Sequence, residues 1–152
     1  MAGSFRSSVS FGKRQEFAVI GELLRRGYDV YQTLVDDQGI DCIIRQARSG
    51  EVRYLEIQVE ARSKDAKNPG RFTPLDVTRV NPNYFFIFYS EPLGMYWVLP
   101  SDVLVKEARR HKSGQSEGRY SLQFCHGRRD GTPVKRPRFA KYESAFNLLD
   151  WE

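Results

Sequence analysis

Two neighbouring segments of the chain alternate polar and apolar residues, as β-strands do when they bury one face. The alternation covers residues 39–45 and 54–60, where the apolar positions are Ile40, Cys42, Ile44, Leu55, Ile57 and Val59. Residues 48–51, with the sequence Arg-Ser-Gly-Glu, lie between them and predict a hairpin connection. The other face of this hairpin then carries four polar side chains: Asp41, Glu56, Gln58 and Glu60.

A helical pattern precedes the hairpin, from about Ser10 to Arg26, and Gly27 is a plausible helix stop. At 3.6 residues per turn, Ile20 marks the centre of an apolar stripe. Three residues flank it: Phe17, Leu23 and Leu24.

Glu16 lies one helical turn before Ile20 and therefore projects from the packed side, whereas Glu22 falls on nearly the opposite, solvated face. A half-buried carboxylate needs a charged partner, a proton or a metal ion. A salt bridge to a neighbouring arginine is the simple alternative for Glu16, and Lys13 lies three residues before it on the same side.

The rest of the chain predicts further strands and two more helices. The strands are expected at residues 28–34, 84–89, 95–99 and 120–124, a turn at residues 36–39, a helix capped by Ser101 and running to about Arg110, and a final short helix at residues 142–151. Residues 62–80 and 125–138 predict basic loops, the first with one short helix or turn near Pro74. We therefore expect a flexible tail at residues 1–9 and a single mixed α/β domain at residues 10–152, with a central mixed sheet of about five strands flanked by helices.

Composition narrows the choice of partner. The chain has 152 residues, a net charge of +5 and a sequence pI of about 9.3, which favours nucleic acid or another polyanion. Its two cysteines, Cys42 and Cys125, form neither a disulfide framework nor a zinc motif, and Cys42 is predicted to be a small core residue. No secretory or membrane-spanning pattern is present, so a cytoplasmic location without a membrane partner is expected.

The polar face of the predicted hairpin sets the candidate chemistry. It places the Asp41 carboxylate opposite a row of acidic and amide oxygens on the next strand. Clustered oxygen ligands of this kind suit a hard divalent cation such as Mg²⁺ or Mn²⁺.

Three segments together resemble the PD-(D/E)XK nuclease superfamily, which has a restriction-endonuclease-like core. They are residues 16–27, residues 39–41 and residues 58–60, and the spacing within the first is similar to that of archaeal Holliday-junction resolvases. The resemblance covers about residues 12–62. It implies a DNA endonuclease that hydrolyses phosphodiester bonds with Mg²⁺ or Mn²⁺.

The resemblance also implies individual roles. Asp41 and Gln58 would bind the metal together with the carbonyl of Val59, and Glu16 would support the metal or its waters. Glu60 stands where the superfamily has a lysine.

Three interpretations of Glu60 remain open. In the first, Glu60 acts as the base or orders a second water, as in superfamily enzymes with E-x-E. In the second, a cation arrives from elsewhere, from Lys13, Arg62 or Lys64. In the third, the domain is catalytically degenerate and only binds nucleic acid or another partner. In an alternative register, Glu56 is the ligand and Gln58 the third residue.

Four basic residues are predicted to contact nucleic acid, DNA more than RNA: Lys13, Arg62, Lys64 and Arg71. The basic stretches at residues 62–79 and 126–138 fit either a phosphate backbone or simple solvation. The sequence is also compatible with a homodimer.

Overall fold

The computed structural model describes residues 8–35 and 38–152. Two α-helices, α1 (Ser8–Arg25) and α2 (Ser101–Glu107), accompany two 3-10 helices at Pro137–Tyr142 and Phe146–Leu149. The strands are β1 (Asp29–Gln32), β2 (Cys42–Arg48), β3 (Glu51–Arg62), β4 (Arg71–Leu75), β5 (Tyr84–Ser90), β6 (Met95–Pro100), β7 (Arg109–Arg110), β8 (Tyr120–Gln123), β9 (Cys125–Gly127) and β10 (Pro133–Lys135). Residues 1–7 of the predicted tail and Asp36–Asp37 of the predicted turn lie outside the described residues.

A five-stranded sheet in the order β1-β2-β3-β5-β6 forms the centre of the fold. Its neighbours are antiparallel except β3 and β5, which run parallel. This confirms the predicted mixed α/β architecture with a five-stranded mixed sheet. The β2–β3 hairpin closes at Ser49 and Gly50, whose φ angles of 49° and 81° are those that a tight hairpin turn requires.

The central sheet buries both of its faces, because alternate residues of its strands enter two separate cores. Ile44, Leu55 and Ile57 pack with Val19 and Leu23 of α1 on one side. On the other side, Phe86 and Phe88 of β5 and Trp97 of β6 pack against a second layer made of α2 and a three-stranded sheet in the order β4-β8-β7. The predicted interior position of the aromatic run is therefore confirmed.

The second sheet corrects the sequence prediction for residues 62–80. That stretch was predicted as a loop with a short helix near Pro74, but it contains β4, where Phe72 pairs with Leu122 of β8. Residues 109–110, predicted to end a helix, form β7, and residues 125–138 contain the β9–β10 hairpin. These strands have two to five residues each, too few for a clear alternation, and β4 pairs with a strand almost fifty residues later in the chain.

Helix α1 has the predicted length but a different buried face. Phe17 and Leu24 are each 54% exposed, so their assignment to the packed stripe was wrong. The buried side is formed by Gln15, Glu16, Val19 and Leu23. Among the described helices, none is long and apolar enough to cross a membrane.

Two predictions for the second half of the chain were also wrong. Ser101 does not cap α2; its hydroxyl accepts from the Asn81 N–H at 3.1 Å and donates to the Asn81 carbonyl at 3.0 Å. The expected final helix consists of 3-10 turns, although Phe146 and Leu149 are buried as predicted.

Two glycines provide a test of these packing details. A Cβ on Gly21, in the middle of α1, would meet no atom within 4 Å, whereas a Cβ on Gly70 would lie 2.7–2.9 Å from three atoms of Cys125. We expect Gly21→Ala to raise the free energy of unfolding by about 0.5–1 kcal/mol, because alanine favours helix. We expect Gly70→Ala to lower it by about 1–3 kcal/mol through overpacking. Urea unfolding measures both, and equal midpoints for the two variants would contradict the packing described.

Candidate functional site

Asp41 lies where strands β2 and β3 separate. Its backbone N–H donates to the Ile57 carbonyl at 2.8 Å, and its carboxylate Oδ2 accepts from the Val59 N–H at 2.6 Å. Because β2 begins only at Cys42, the Val59 N–H extends beyond the paired part of β2, and the carboxylate occupies the place of the missing strand. The Asp41 side chain is consequently held in place with only 4% of the residue exposed.

Val59 presents a second backbone group at the same place. The N–H and C=O of one strand residue point to the same side of the strand. The Val59 carbonyl therefore points, like its N–H, towards the side that β2 has left and into the space beside Asp41.

Gln58 is the neighbour of Asp41 across the strands, and its amide oxygen is unusual. Oε1 is buried and has no hydrogen-bond partner among the described residues, while Nε2 donates to Glu60 Oε1 at 3.4 Å. Orphaned buried acceptors are rare, because each costs the desolvation of its lone pairs. A buried amide oxygen of this kind, next to a carboxylate, is suited to bind an additional ligand.

Gly39 allows the backbone to approach this oxygen closely. Its φ of 72° favours glycine, and a Cβ there would lie 3.5 Å from Gln58 Oε1 and 3.0 Å from the Tyr84 hydroxyl. The Tyr84 hydroxyl donates to the Gly39 carbonyl at 2.8 Å, which anchors the segment leading into Asp41. The sequence interpretation did not identify Tyr84; only its position at the start of the aromatic strand could have indicated it.

Helix α1 brings Glu16 to the same region. Glu16 is 8% exposed, as the helix phase predicted, and its partner is Lys13, whose Nζ lies 3.1 Å from Oε2. Gln32 of β1 also donates to Glu16 Oε1 at 3.5 Å. The ion pair predicted as the alternative therefore exists, with a lysine in place of an arginine.

A cavity of about 380 Å³ unites these groups. Its lining consists of one helix segment, the residue before β2 and the far end of β3: Gly12, Lys13, Glu16, Asp41, Gln58, Val59, Glu60 and Ala61. The structure thus brings together all four residues that the sequence predicted to be catalytic. Lys13 is the cationic side chain in this lining among the residues that the structure describes.

Buried acidic groups beside the cavity affect nearby titrating side chains. Burial raises the pKa of the Cys42 thiol to about 12, and the Asp41 and Glu16 carboxylates add to the rise. Burial also raises the pKa of Tyr84 to about 12, and the Glu60 carboxylate contributes. Both groups therefore stay protonated at neutral pH. The lining itself carries three carboxylates against one ammonium group, and this excess of negative charge favours a cation here.

The donor set limits how a metal could bind. Within residues 8–35 and 38–152, no group of three or more His, Cys, Asp or Glu side chains is arranged to hold a metal ion. A set that combines one carboxylate with the Gln58 amide oxygen and the Val59 carbonyl is of a different kind and has the oxygen chemistry that Mg²⁺ and Mn²⁺ accept. The orphaned Gln58 Oε1 fits such a set.

The remaining predicted residues lie outside this cavity. Arg62 and Lys64 do not line it, and Arg71 lines a different cavity beside β8. Glu56 binds Arg79 at 2.7 Å, which removes support for the register in which Glu56 is the ligand.

Comparisons with known proteins identify the fold. No protein-family model matches the chain, and no curated protein matches it. Among solved structures, the bacterial homing endonuclease I-Ssp6803I is 24% identical with a TM-score of 0.62, covering 94% of this chain and 91% of its own. A nuclease from a fusselovirus is 16% identical with a TM-score of 0.46, over 98% of this chain and 90% of its own. The first similarity shows that this chain has the fold of a homing endonuclease.

Proposed function

We propose that the chain is a metal-dependent DNA endonuclease of the PD-(D/E)XK type. The observation that carries the proposal is the buried Gln58 Oε1, which has no hydrogen-bond partner among the described residues and lies beside the Asp41 carboxylate at the open end of the β2–β3 pair. The fold shared with a homing endonuclease supports the same conclusion. Function nevertheless depends on the site and not on the fold, so the chemistry of each residue matters.

Asp41, Gln58 and the Val59 carbonyl would hold Mg²⁺ or Mn²⁺, with Glu16 on the flank. When bound, such a cation makes a water more acidic and neutralises charge on the phosphate. The Val59 N–H keeps the Asp41 carboxylate oriented, since it binds one carboxylate oxygen at 2.6 Å. The Tyr84 hydroxyl donates to the Gly39 carbonyl and so fixes the backbone that leads to Asp41.

Glu60 and Lys13 together take the roles that the motif lysine would have, and each takes a different one. The Glu60 carboxylate lines the cavity and would accept the proton of the attacking water. Lys13 would place its ammonium group near the negative charge that develops on the phosphate. Lys13 is favoured over the two other cations predicted for this role, because neither Arg62 nor Lys64 lines the cavity.

A nucleic-acid-binding module without catalytic activity is the second candidate function. Glu60 favours it, because the lining then carries three carboxylates against one ammonium group. Without a bound cation, that excess of negative charge repels a phosphodiester. The two candidates therefore differ in a single measurable property, metal-dependent cleavage.

The deciding experiment incubates the purified chain with plasmid, single-stranded and branched DNA, each with Mg²⁺, with Mn²⁺ or with a chelator. We expect cleavage of at least one substrate with a divalent cation and none with the chelator. Absence of cleavage on every substrate would exclude the endonuclease. Salt-sensitive DNA binding without cleavage would establish the binding module instead.

A further inference from the structure

A second cavity of about 380 Å³ lies on the three-stranded sheet and has an arginine-rich lining. Four arginines line it: Arg71, Arg109, Arg136 and Arg138. Glu107 is the acidic side chain in the lining, so among the described residues the arginines outnumber the carboxylates four to one. We call it the arginine cavity.

Three of these arginines lie next to strand β8. Arg71 of β4 pairs with Gln123 on one side of β8, and Arg109 of β7 pairs with Ser121 on the other side. Arg136 reaches the end of β8, where its N–H donates to the Phe124 carbonyl at 2.9 Å. Three segments far apart in sequence therefore each contribute an arginine to the lining of one cavity.

The floor of the cavity is polar and fixed. The Ser121 hydroxyl is bonded to His111 Nε2 at 2.6 Å and also to the Thr73 hydroxyl. Gln123 donates from Nε2 to the Cys125 carbonyl at 3.0 Å. Because hydrogen bonds hold Ser121 and Gln123 in place, the arginines surround a surface of defined shape on which a ligand can bind.

Three of the four arginines in the arginine cavity have no carboxylate partner within the described part of the chain. Arg138 lies 3.5 Å from Glu107, but no carboxylate partner of Arg71, Arg109 or Arg136 exists among the described residues. Some arginines elsewhere do have one: Arg14 binds Glu91 at 2.9 Å, Arg26 binds Glu22 at 2.9 Å and Arg79 binds Glu56 at 2.7 Å. Convergence of unneutralised guanidinium groups favours an anionic ligand.

We propose that the arginine cavity binds a backbone phosphate of nucleic acid, away from the scissile bond. The proposal rests on the proposed endonuclease function, which supplies a polyanionic substrate. Guanidinium groups bind phosphate oxygens through paired N–H donors, and contacts of this kind fix the position of a duplex without reading its sequence. The cavity also joins the two basic stretches of the sequence, residues 62–79 and 126–138, into one surface.

The test measures binding of a fluorescent DNA duplex over a range of salt concentrations, with chelator and no divalent cation. We expect Arg136→Ala, and more strongly Arg71→Ala with Arg136→Ala, to weaken binding at low salt. Removal of one phosphate-binding arginine should reduce the slope of log affinity against log salt by about 0.9. Arg136→Lys should keep most of the slope because it keeps the charge.

Arg129→Ala is the matched control. Arg129 is exposed on the same basic stretch but does not line the arginine cavity, so its slope should equal that of the parent. Urea unfolding checks whether each variant keeps the stability of the parent. If Arg136→Ala and Arg129→Ala have the same slope as the parent, the arginine cavity is not a backbone contact.

Two further outcomes would overturn the proposal. One is a loss of affinity for inorganic phosphate in Arg136→Ala without any change in duplex binding, which would make the cavity a site for small anions. The other is no duplex binding by the parent chain. The binding assay contains no divalent cation, so its result does not depend on whether the chain cleaves DNA. Metal-dependent cleavage together with unchanged salt slopes would refute phosphate binding at the arginine cavity and leave the proposed endonuclease function in place.

Discussion

Asp41→Asn is expected to lose metal-dependent cleavage and to remain folded. Asparagine keeps an oxygen that can accept from the Val59 N–H, which the aspartate binds at 2.6 Å, but it removes the negative charge. Loss of one group that stabilises charge in a transition state typically lowers the rate by about 10²–10³-fold. We therefore expect cleavage to fall by at least that factor, as measured by plasmid nicking in Mg²⁺ and in Mn²⁺.

Asp41→Ala separates the structural role of this residue from its chemical role. Alanine leaves the Val59 N–H without its acceptor at the point where β2 has ended. A buried group that loses its partner costs about 1–3 kcal/mol. The alanine variant should accordingly unfold at lower urea concentration than the asparagine variant, while both lack cleavage.

Glu56→Gln is the matched control for Asp41. Glu56 lies on the same face of the hairpin but binds Arg79 and does not line the cavity. Cleavage by Glu56→Gln should therefore fall by less than the roughly 10–100-fold that loss of a group supporting a metal ligand typically causes. Cleavage by Asp41→Asn at the parent rate, or a larger loss in Glu56→Gln, would remove Asp41 from the proposed mechanism.

The candidate site could be predicted because its parts are close in sequence. Asp41 directly precedes β2, Gln58 belongs to β3, and a tight turn joins the two strands, so alternation alone places both side chains on one face. Glu16 was placed by helical phase, and it is buried even though Phe17 and Leu24 of the same predicted stripe are exposed. The burial of Glu16 was thus predicted correctly, and the apolar stripe from which it was inferred was half right, because Leu23 is buried and Ile20 packs against the core.

A distant contact explains why the buried face of α1 differs from the prediction. Gln15 donates to Glu91, and Arg14 binds the same carboxylate at 2.9 Å. These bonds join the first half of α1 to the turn between β5 and β6. Apolar periodicity within a helix carries no information about a partner more than seventy positions away, so it favoured Phe17 over Gln15.

The second sheet could not be predicted for a related reason. Its strands are short, and β4 finds its partner β8 almost fifty residues later in the chain. Pairing of this kind depends on the aromatic core that both strands cover, where the Phe72 and Phe88 rings meet at 4.9 Å. The two basic stretches were therefore visible in the sequence, whereas their convergence in the arginine cavity was not.

Lys13→Met is the second change expected to have a large effect. It keeps the length of the side chain but removes the cationic group that lines the candidate site, 3.1 Å from Glu16. If Lys13 supplies the charge of the missing motif lysine, cleavage should fall by about 10²–10³-fold. Lys13→Arg should restore part of the activity, and single-turnover cleavage rates measure both.

Arg14→Met provides the control, because it also removes one cation and one ion pair from α1 but does not line the cavity. Its cleavage rate should stay within a few-fold of the parent. Lys13 could otherwise act only by holding Glu16 in place, and a double-mutant cycle distinguishes the two roles. If Lys13→Met has no further effect once Glu16→Gln is present, its role is to position Glu16. A further loss of similar size in the double variant supports direct action of the ammonium group on the phosphate, which would explain how Glu60 can replace the motif lysine.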